Sequence, residues 1–169
     1  MNNIVTQFEE LKSWQHGREL ASFICRATNT GAFAKDYAMR DQMRRAVISI
    51  ASNIAEGFER GGRQEFIQFL SIAKGSCGEV RSQLHLAQDQ GYVETQEANQ
   101  LRNLACSSSR LIAGLMTYLR RAELRGTICS SVVREAPDSA NEDAWTIHPE
   151  ELSDDEANAL AAQRATLET

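Results

Sequence analysis

Residues 42–60 read QMRRAVISIASNIAEGFER. Met43, Val47, Ile50 and Ile54 recur every three or four positions, so the spacing predicts a helix with these four on one face. Ala46, Ala51 and Ala55 fill the positions between them with the strongest helix former. Ser49, Asn53 and Glu56 follow at steps of four and three, so they share a side of the same helix. Polar groups beside a core stripe cost free energy unless they find hydrogen-bond partners. The stretch therefore predicts a bundle helix with a polar seam of Ser49, Asn53 and Glu56. Gly57 is expected to mark its end.

Working outward, a first helix is expected from about Phe8 to Thr28, with Phe8, Leu11, Trp14, Ala21 and Ile24 as its stripe. Asn29-Thr30-Gly31 supplies the stop, and Phe33 and Tyr37 are expected under the following connection. The second helix covers about 39–56, and Gly57, Gly61 and Gly62 form a turn. The third helix covers about 63–90, with Phe66, Leu70, Ala73, Cys77, Val80, Leu84 and Ala87 in its stripe. Gly75 and Gly78 interrupt it, each at a cost of about 1 kcal/mol relative to Ala. A close approach by another backbone or a large ring would account for them. Lys74-Gly75-Ser76 has the wrong order for a phosphate loop and follows no strand. Thr95 is the expected N-cap of a fourth helix ending near Leu124, and Ser107-Ser108-Ser109 keeps its middle thin. The thin points of helices three and four are expected to face each other.

The fold class predicted is all-α: an antiparallel up-down four-helix bundle over residues 5–126. An acidic tail follows at 127–169. The only prolines, Pro137 and Pro149, lie in that tail. Residues 1–126 hold 16 Lys and Arg against 13 Asp and Glu, whereas 127–169 hold 2 against 10. A segment so acidic and so poor in large apolar residues is expected to be disordered. Trp145-Thr146-Ile147 and a short helix from Ser153 are the exceptions it could contain. No apolar run approaches the roughly 20 residues of a membrane span, and the N-terminus has no secretory pattern, so a cytoplasmic protein is expected. Cys25, Cys77, Cys106 and Cys129 lack metal-ligand spacing and read as free thiols.

Gln42, Arg45, Ala46, Ser49, Ile50, Asn53, Ile54, Ala55, Glu56 and Gly57, then Arg60, then Gly75, Ser76 and Glu79, form a long pattern. It resembles Q-x-x-R-A-x-x-S-I-x-x-N-I-A-E-G with a following Arg and G-S-x-x-E, as carried by the bacterial four-helix-bundle family of 23S rRNA intervening-sequence proteins. The resemblance spans roughly residues 8–125. Members often carry Phe-Pro where this chain has Phe33-Ala34. The resemblance implies a four-helix bundle assembled as a homopentamer. Some relatives are encoded inside rRNA genes, and the same ring architecture occurs in the accessory protein of diversity-generating retroelements.

The chemistry of other bundles does not fit. A di-iron site needs Glu three residues before His on two helices, and His16, His85 and His148 all lack it. No cofactor, no metal and no catalytic residue is expected. Glu56 beside Asn53 could act as a base, or simply pair with an arginine. Arg40, Arg44, Arg45, Arg60 and Arg63 are the candidate nucleic-acid-binding residues, because guanidinium forks match phosphate geometry and a ring would repeat them. The competing reading pairs them with Asp41, Glu56, Glu59 and Glu65. The expected function is a non-catalytic oligomer that binds RNA or DNA, or a nucleic-acid-processing partner. The alternative is a scaffold whose acidic tail docks a protein partner.

Overall fold

The computed structural model describes residues 4–124 and 133–134. Four helices account for nearly all of them: α1 (Lys12–Ala27), α2 (Tyr37–Glu59), α3 (Arg63–Asp89) and α4 (Thr95–Leu124). Short 3-10 turns at Phe8–Glu10 and Phe33–Lys35 lead into α1 and α2. A two-residue strand β1 (Ile4–Val5) pairs antiparallel with β2 (Val133–Arg134). The sequence does not announce that pairing. The chain divides into two compact units, Met1–Pro137 and Asp138–Thr169. The second unit, with Trp145 and the expected helix from Ser153, lies outside the described residues.

Each helix packs on two neighbours: α1 on α2 and α4, and α3 on α2 and α4. Side-chain contacts fix their directions. Early in α2, Gln42 meets Glu79, while further along Ser49 meets Ser76 and Gly57 faces Phe66 and Phe69. Rising numbers on α2 thus meet falling numbers on α3, so the two run antiparallel. The result is the expected four-helix bundle. Its core contains Leu20, Ile24, Met43, Ile50, Ile54, Leu70, Leu84 and Ile112, each fully buried.

The helix ends follow from local chemistry. Asp36 caps α2, its carboxylate accepting from the Met39 N–H at 3.0 Å. The other oxygen of that carboxylate accepts from the Tyr92 hydroxyl at 3.1 Å, and this bond raises the Tyr92 pKa. Tyr92 also stacks on buried Phe33, with ring centroids 5.1 Å apart. The first and third connections are therefore pinned together. Ala34 N–H donates to Thr30 O at 3.2 Å, a bond that proline at this position would lack. Gly31, Gly61 and Gly91 take φ of 58°, 69° and 70° in the three turns between helices, where only glycine is unstrained.

Four expectations need correction. Gly57 does not end α2, which continues to Glu59. A Cβ built there would lie 2.6 Å from Phe69 Cβ and 2.9 Å from Phe66 Cδ2. This glycine permits close packing rather than a stop. Gly75 and Gly78 are the reverse case, exposed and with nothing within 4 Å of their Cβ positions. No backbone or ring of the described residues approaches them, and they do not face the serines of α4. Tyr37 is 66% exposed rather than covered by the connection, and Arg40 lies over its ring at 4.7 Å. Helix α1 begins at Lys12 rather than Phe8, because Leu11 holds an extended φ/ψ and turns the chain.

Gly57→Ala should therefore destabilise the chain by about 1–3 kcal/mol through overpacking, despite alanine's better helix propensity. Gly114→Ala, with nothing within 4 Å of its Cβ position, should instead stabilise it by about 0.5–1 kcal/mol. Urea denaturation of the two variants gives both signs.

Candidate nucleic-acid interface

The polar seam forms as a bridge between α2 and α3. Asn53 Nδ2 donates to Ser49 O at 2.7 Å and to Ser49 Oγ at 2.9 Å. Ser76 Oγ, across on α3, hydrogen-bonds with Ser49 Oγ at 3.0 Å and lies 3.2 Å from Ile72 O. Two turns away, Arg45 Nη2 donates to Gln42 Oε1 at 2.6 Å, and Gln42 Nε2 donates to Glu79 Oε1 at 3.0 Å. Gln83 Nε2 reaches the same Glu79 oxygen at 3.1 Å. Each partner is itself a member of the sequence pattern or one turn from it. Glu56 departs from the seam. It is exposed and accepts from Arg60 at 2.8 Å.

The five candidate arginines do not form one patch. Arg44 and Arg60 are sixteen residues apart on or beside one helix, about 24 Å along its axis. Arg44 is half-buried and spans to the end of α1. Its Nε donates to Thr28 Oγ1 at 2.8 Å, and its Nη2 to Asn29 Oδ1 at 2.7 Å and Cys25 O at 3.5 Å. A cation at a helix C-terminus also meets the negative end of the dipole. Arg40 donates to Asp41 at 2.8 Å and to Ala34 O at 3.1 Å. Arg60 joins Glu56 at 2.8 Å and Glu65 at 3.5 Å, and lies over the Phe69 ring at 4.8 Å. The Glu56 hydrogen bond pushes the Arg60 pKa further up. Arg45 is exposed with its bond to Gln42, and Arg63 opens α3. The expected acidic partners thus take Arg40 and Arg60, whereas Arg44 is held by a hydroxyl, an amide and a carbonyl.

A second set of cations escaped the sequence reading. Residues 98–122 contain Arg102, Arg110, Arg120 and Arg121 and no acid at all. On α3, Lys74 and Arg81 lie at −3 and +4 from Cys77, so they flank it on one face. Cys77 is buried, and its thiol is pushed up to about 12, first by burial and then by the nearby Cys106 of α4. Arg102 and Arg110 lie four residues before and after Cys106. Arg102 reaches back to α3, donating to Gln88 at 2.8 Å. Each thiol of the pair thus has two cations within about one turn of it on its own helix. The legible signal was the missing acid in a long helical stretch. Among the described residues no group of three or more His, Cys, Asp or Glu side chains comes together to hold a metal. No described helix is long and apolar enough to cross a membrane.

The model of the 23S rRNA-intervening sequence protein family matches residues 9–114. The chain belongs to that family. A solved structure from Bacteroides thetaiotaomicron, of a protein of unknown function from the S23 ribosomal protein family, has the same fold at a TM-score of 0.57 and 22% identity. The match covers 62% of this chain and 95% of that one. Among curated proteins none matches. The family's sequence pattern now has a physical basis in this chain. Gln42, Ser49, Asn53, Ser76 and Glu79 make the α2–α3 bridge, and Gly57 lets the two helices close.

Replacing Arg44 with Met should cost about 1.5–3 kcal/mol, the range for losing hydrogen bonds to a charged group. Arg45→Met should stay within about 0.5 kcal/mol, as for exposed positions generally. Thermal melts of the two variants separate a tie between helices from a surface charge. Thiol labelling tests the Cys77 environment. At pH 8 in the native protein, Cys77 should remain unmodified by iodoacetamide while half-buried Cys25 and Cys106 react. Because its folded pKa lies above the unfolded one, its contribution to stability is complete below about pH 8.5 and declines as pH rises toward 12.

Proposed function

We propose that this chain is a non-catalytic bundle protein that associates with copies of itself and binds nucleic acid, or a partner that processes it. The observation that carries the reading is the outer face shared by α2 and α3. Ile48, Ile72 and Leu86 are 52%, 47% and 54% exposed, and they are three of the four large apolar side chains exposed among the described residues. Ile72 and Leu86 border the seam from α3, at −4 and +3 from Ser76 and Gln83, whereas Ile48 lies on the outward side of α2, four residues on from Arg44. Apart from Gln83 Oε1, which is already buried, the seam groups Gln42, Ser49, Asn53, Ser76 and Glu79 bond within the chain, so covering this face strands little. Full burial of such a side chain contributes about 1.5–3 kcal/mol. A second copy of the chain supplies the same apolar surface, which suits a closed assembly. Five subunits are the number the family resemblance suggests.

Family membership and the excess of cations over acids in residues 1–126 support nucleic acid as the ligand. A cytoplasmic location belongs to the same reading. A protein scaffold working through the acidic residues 127–169 is the alternative.

Analytical ultracentrifugation of the full chain should give a multiple of the 18.8 kDa chain mass. Ile48→Glu, Ile72→Glu and Leu86→Glu together should reduce it to one chain while leaving helical circular dichroism unchanged. A wild-type monomer would remove self-association from the reading. Fluorescence anisotropy with labelled RNA and DNA at low and moderate salt tests the ligand. Absence of binding at low salt would favour the scaffold.

A further inference from the structure

We infer that the outer face shared by α3 and α4 holds the sugar–phosphate backbone of a nucleic acid, and that the arginines of α2 do not. The inference rests on the proposal that nucleic acid is the ligand and adds where it lies.

The cations on this face are available. Among the described residues, Lys74, Arg81, Arg102, Arg110 and Arg121 form no ion pair. Arg102 and Arg110 bond only to neutral Gln88, Asn99 and Ser107. By contrast, Arg40 and Arg60 are paired with acids, and Arg44 ties α2 to α1. Binding phosphate through Arg44 would require breaking a part-buried set of bonds first. The acids are segregated as well. Between residues 66 and 88 the only one is Glu79, and it is turned toward α2 by Gln42 and Gln83. A phosphate strand along α3 and α4 therefore meets little repulsion except at its Arg102 end, where exposed Asp89 closes α3.

The face also has the right shape and polarity. Gly78 lies midway between Lys74 and Arg81, exposed, with nothing within 4 Å of a Cβ position. A strand can approach the α3 backbone there without displacing a side chain. Ile48, Ile72 and Leu86 all border the α2 side of the bundle, so this face offers charge without an apolar patch. Arg102 to Arg121 spans nineteen residues, about 28 Å of helix axis, comparable to about eight phosphate steps of 3.4 Å. Five fixed charges over that length suit a periodic polyanion. Among the described residues no exposed Phe, Tyr or Trp accompanies them on α3 or α4, so contacts go to phosphate and the binding is indifferent to base sequence.

Two full-length variants test the placement. One carries Lys74→Gln, Arg81→Gln and Arg110→Gln. The other removes three charges at the expected site, with Arg45→Gln, Arg60→Gln and Arg63→Gln. Circular dichroism melts establish that both are folded. Each is titrated against a fluorescent 20-nucleotide single-stranded RNA and the matching DNA, at 50 and 200 mM salt. The first variant should bind at least tenfold more weakly at 50 mM and lose about two units of the log–log salt slope. The second should stay within about twofold of wild type, with the slope unchanged. Equal loss in both variants, or loss confined to the second, would overturn the placement. Poly-L-glutamate competing as well as RNA at equal charge would overturn the choice of phosphate over carboxylate. A wild-type chain that binds neither nucleic acid at 50 mM would overturn the functional proposal itself, and the placement with it.

Discussion

A Cβ at Gly57 would stand 2.6 Å from the Cβ of Phe69, closer than side chains tolerate. Helices α2 and α3 therefore approach near their shared turn only because residue 57 has no side chain. That closeness brings Ser49 within 3.0 Å of Ser76 and Gln42 within 3.0 Å of Glu79 further along the pair. Ser49 and Ser76 would lose water on packing and recover a partner across the interface, while the Gln42–Glu79 bond stays exposed. Gly17 does the same work between α1 and α2, where a Cβ would meet Ile50 Cγ2 at 3.0 Å. Small residues thus set the helix spacing, and the polar bonds then fix the register.

The arginines sort by what surrounds them. A guanidinium near a helix C-terminus or between two carboxylates has its donors occupied, and recruiting it for a ligand means breaking those bonds. Arg44 and Arg60 are of that kind. Arginines on a helix stretch without acids keep their donors for solvent or for a polyanion. Sequence spacing alone treats both kinds alike, because the partners of Arg44 lie just past the end of α1, sixteen and fifteen residues away.

The four helices were legible because each carries an apolar stripe at helical spacing, and the turns because glycine punctuates them; Thr95, read as a cap, is instead the first residue of α4. The family pattern was legible too, since it is long and continuous in the chain. What was not legible depends on contacts across the fold. Glycine both ends helices and admits neighbours, so Gly57 read as a stop although it lies inside α2. Gly75 and Gly78 read as packing glycines although they face outward, an orientation the stripe through Ala73, Cys77 and Val80 already implied. Ser49 and Asn53 were placed on one face, but their partner Ser76 became visible only once α3 was folded back. Glu56 was assigned to the same seam and instead turns to Arg60, because one further helical step carries it out to solvent.

The outward side of α3 separates two surfaces of opposite character. Toward α2 it presents Ile72 and Leu86, and toward α4 it presents Lys74 and Arg81. Between them run Gly75, Gly78 and Ser82, all exposed. Under the proposed assembly, copies would meet on the α2 side without covering the cations. Repetition of the chain would then place several basic faces in one particle. Because phosphate contacts weaken multiplicatively with salt and strengthen with their number, such a particle gains affinity from repetition that a single bundle with five fixed charges lacks. An exposed glycine in a helix costs about 1 kcal/mol when nothing packs on it. Two of them side by side, Gly75 and Gly78, are hard to account for within the described chain and are natural where another molecule must come close to the backbone.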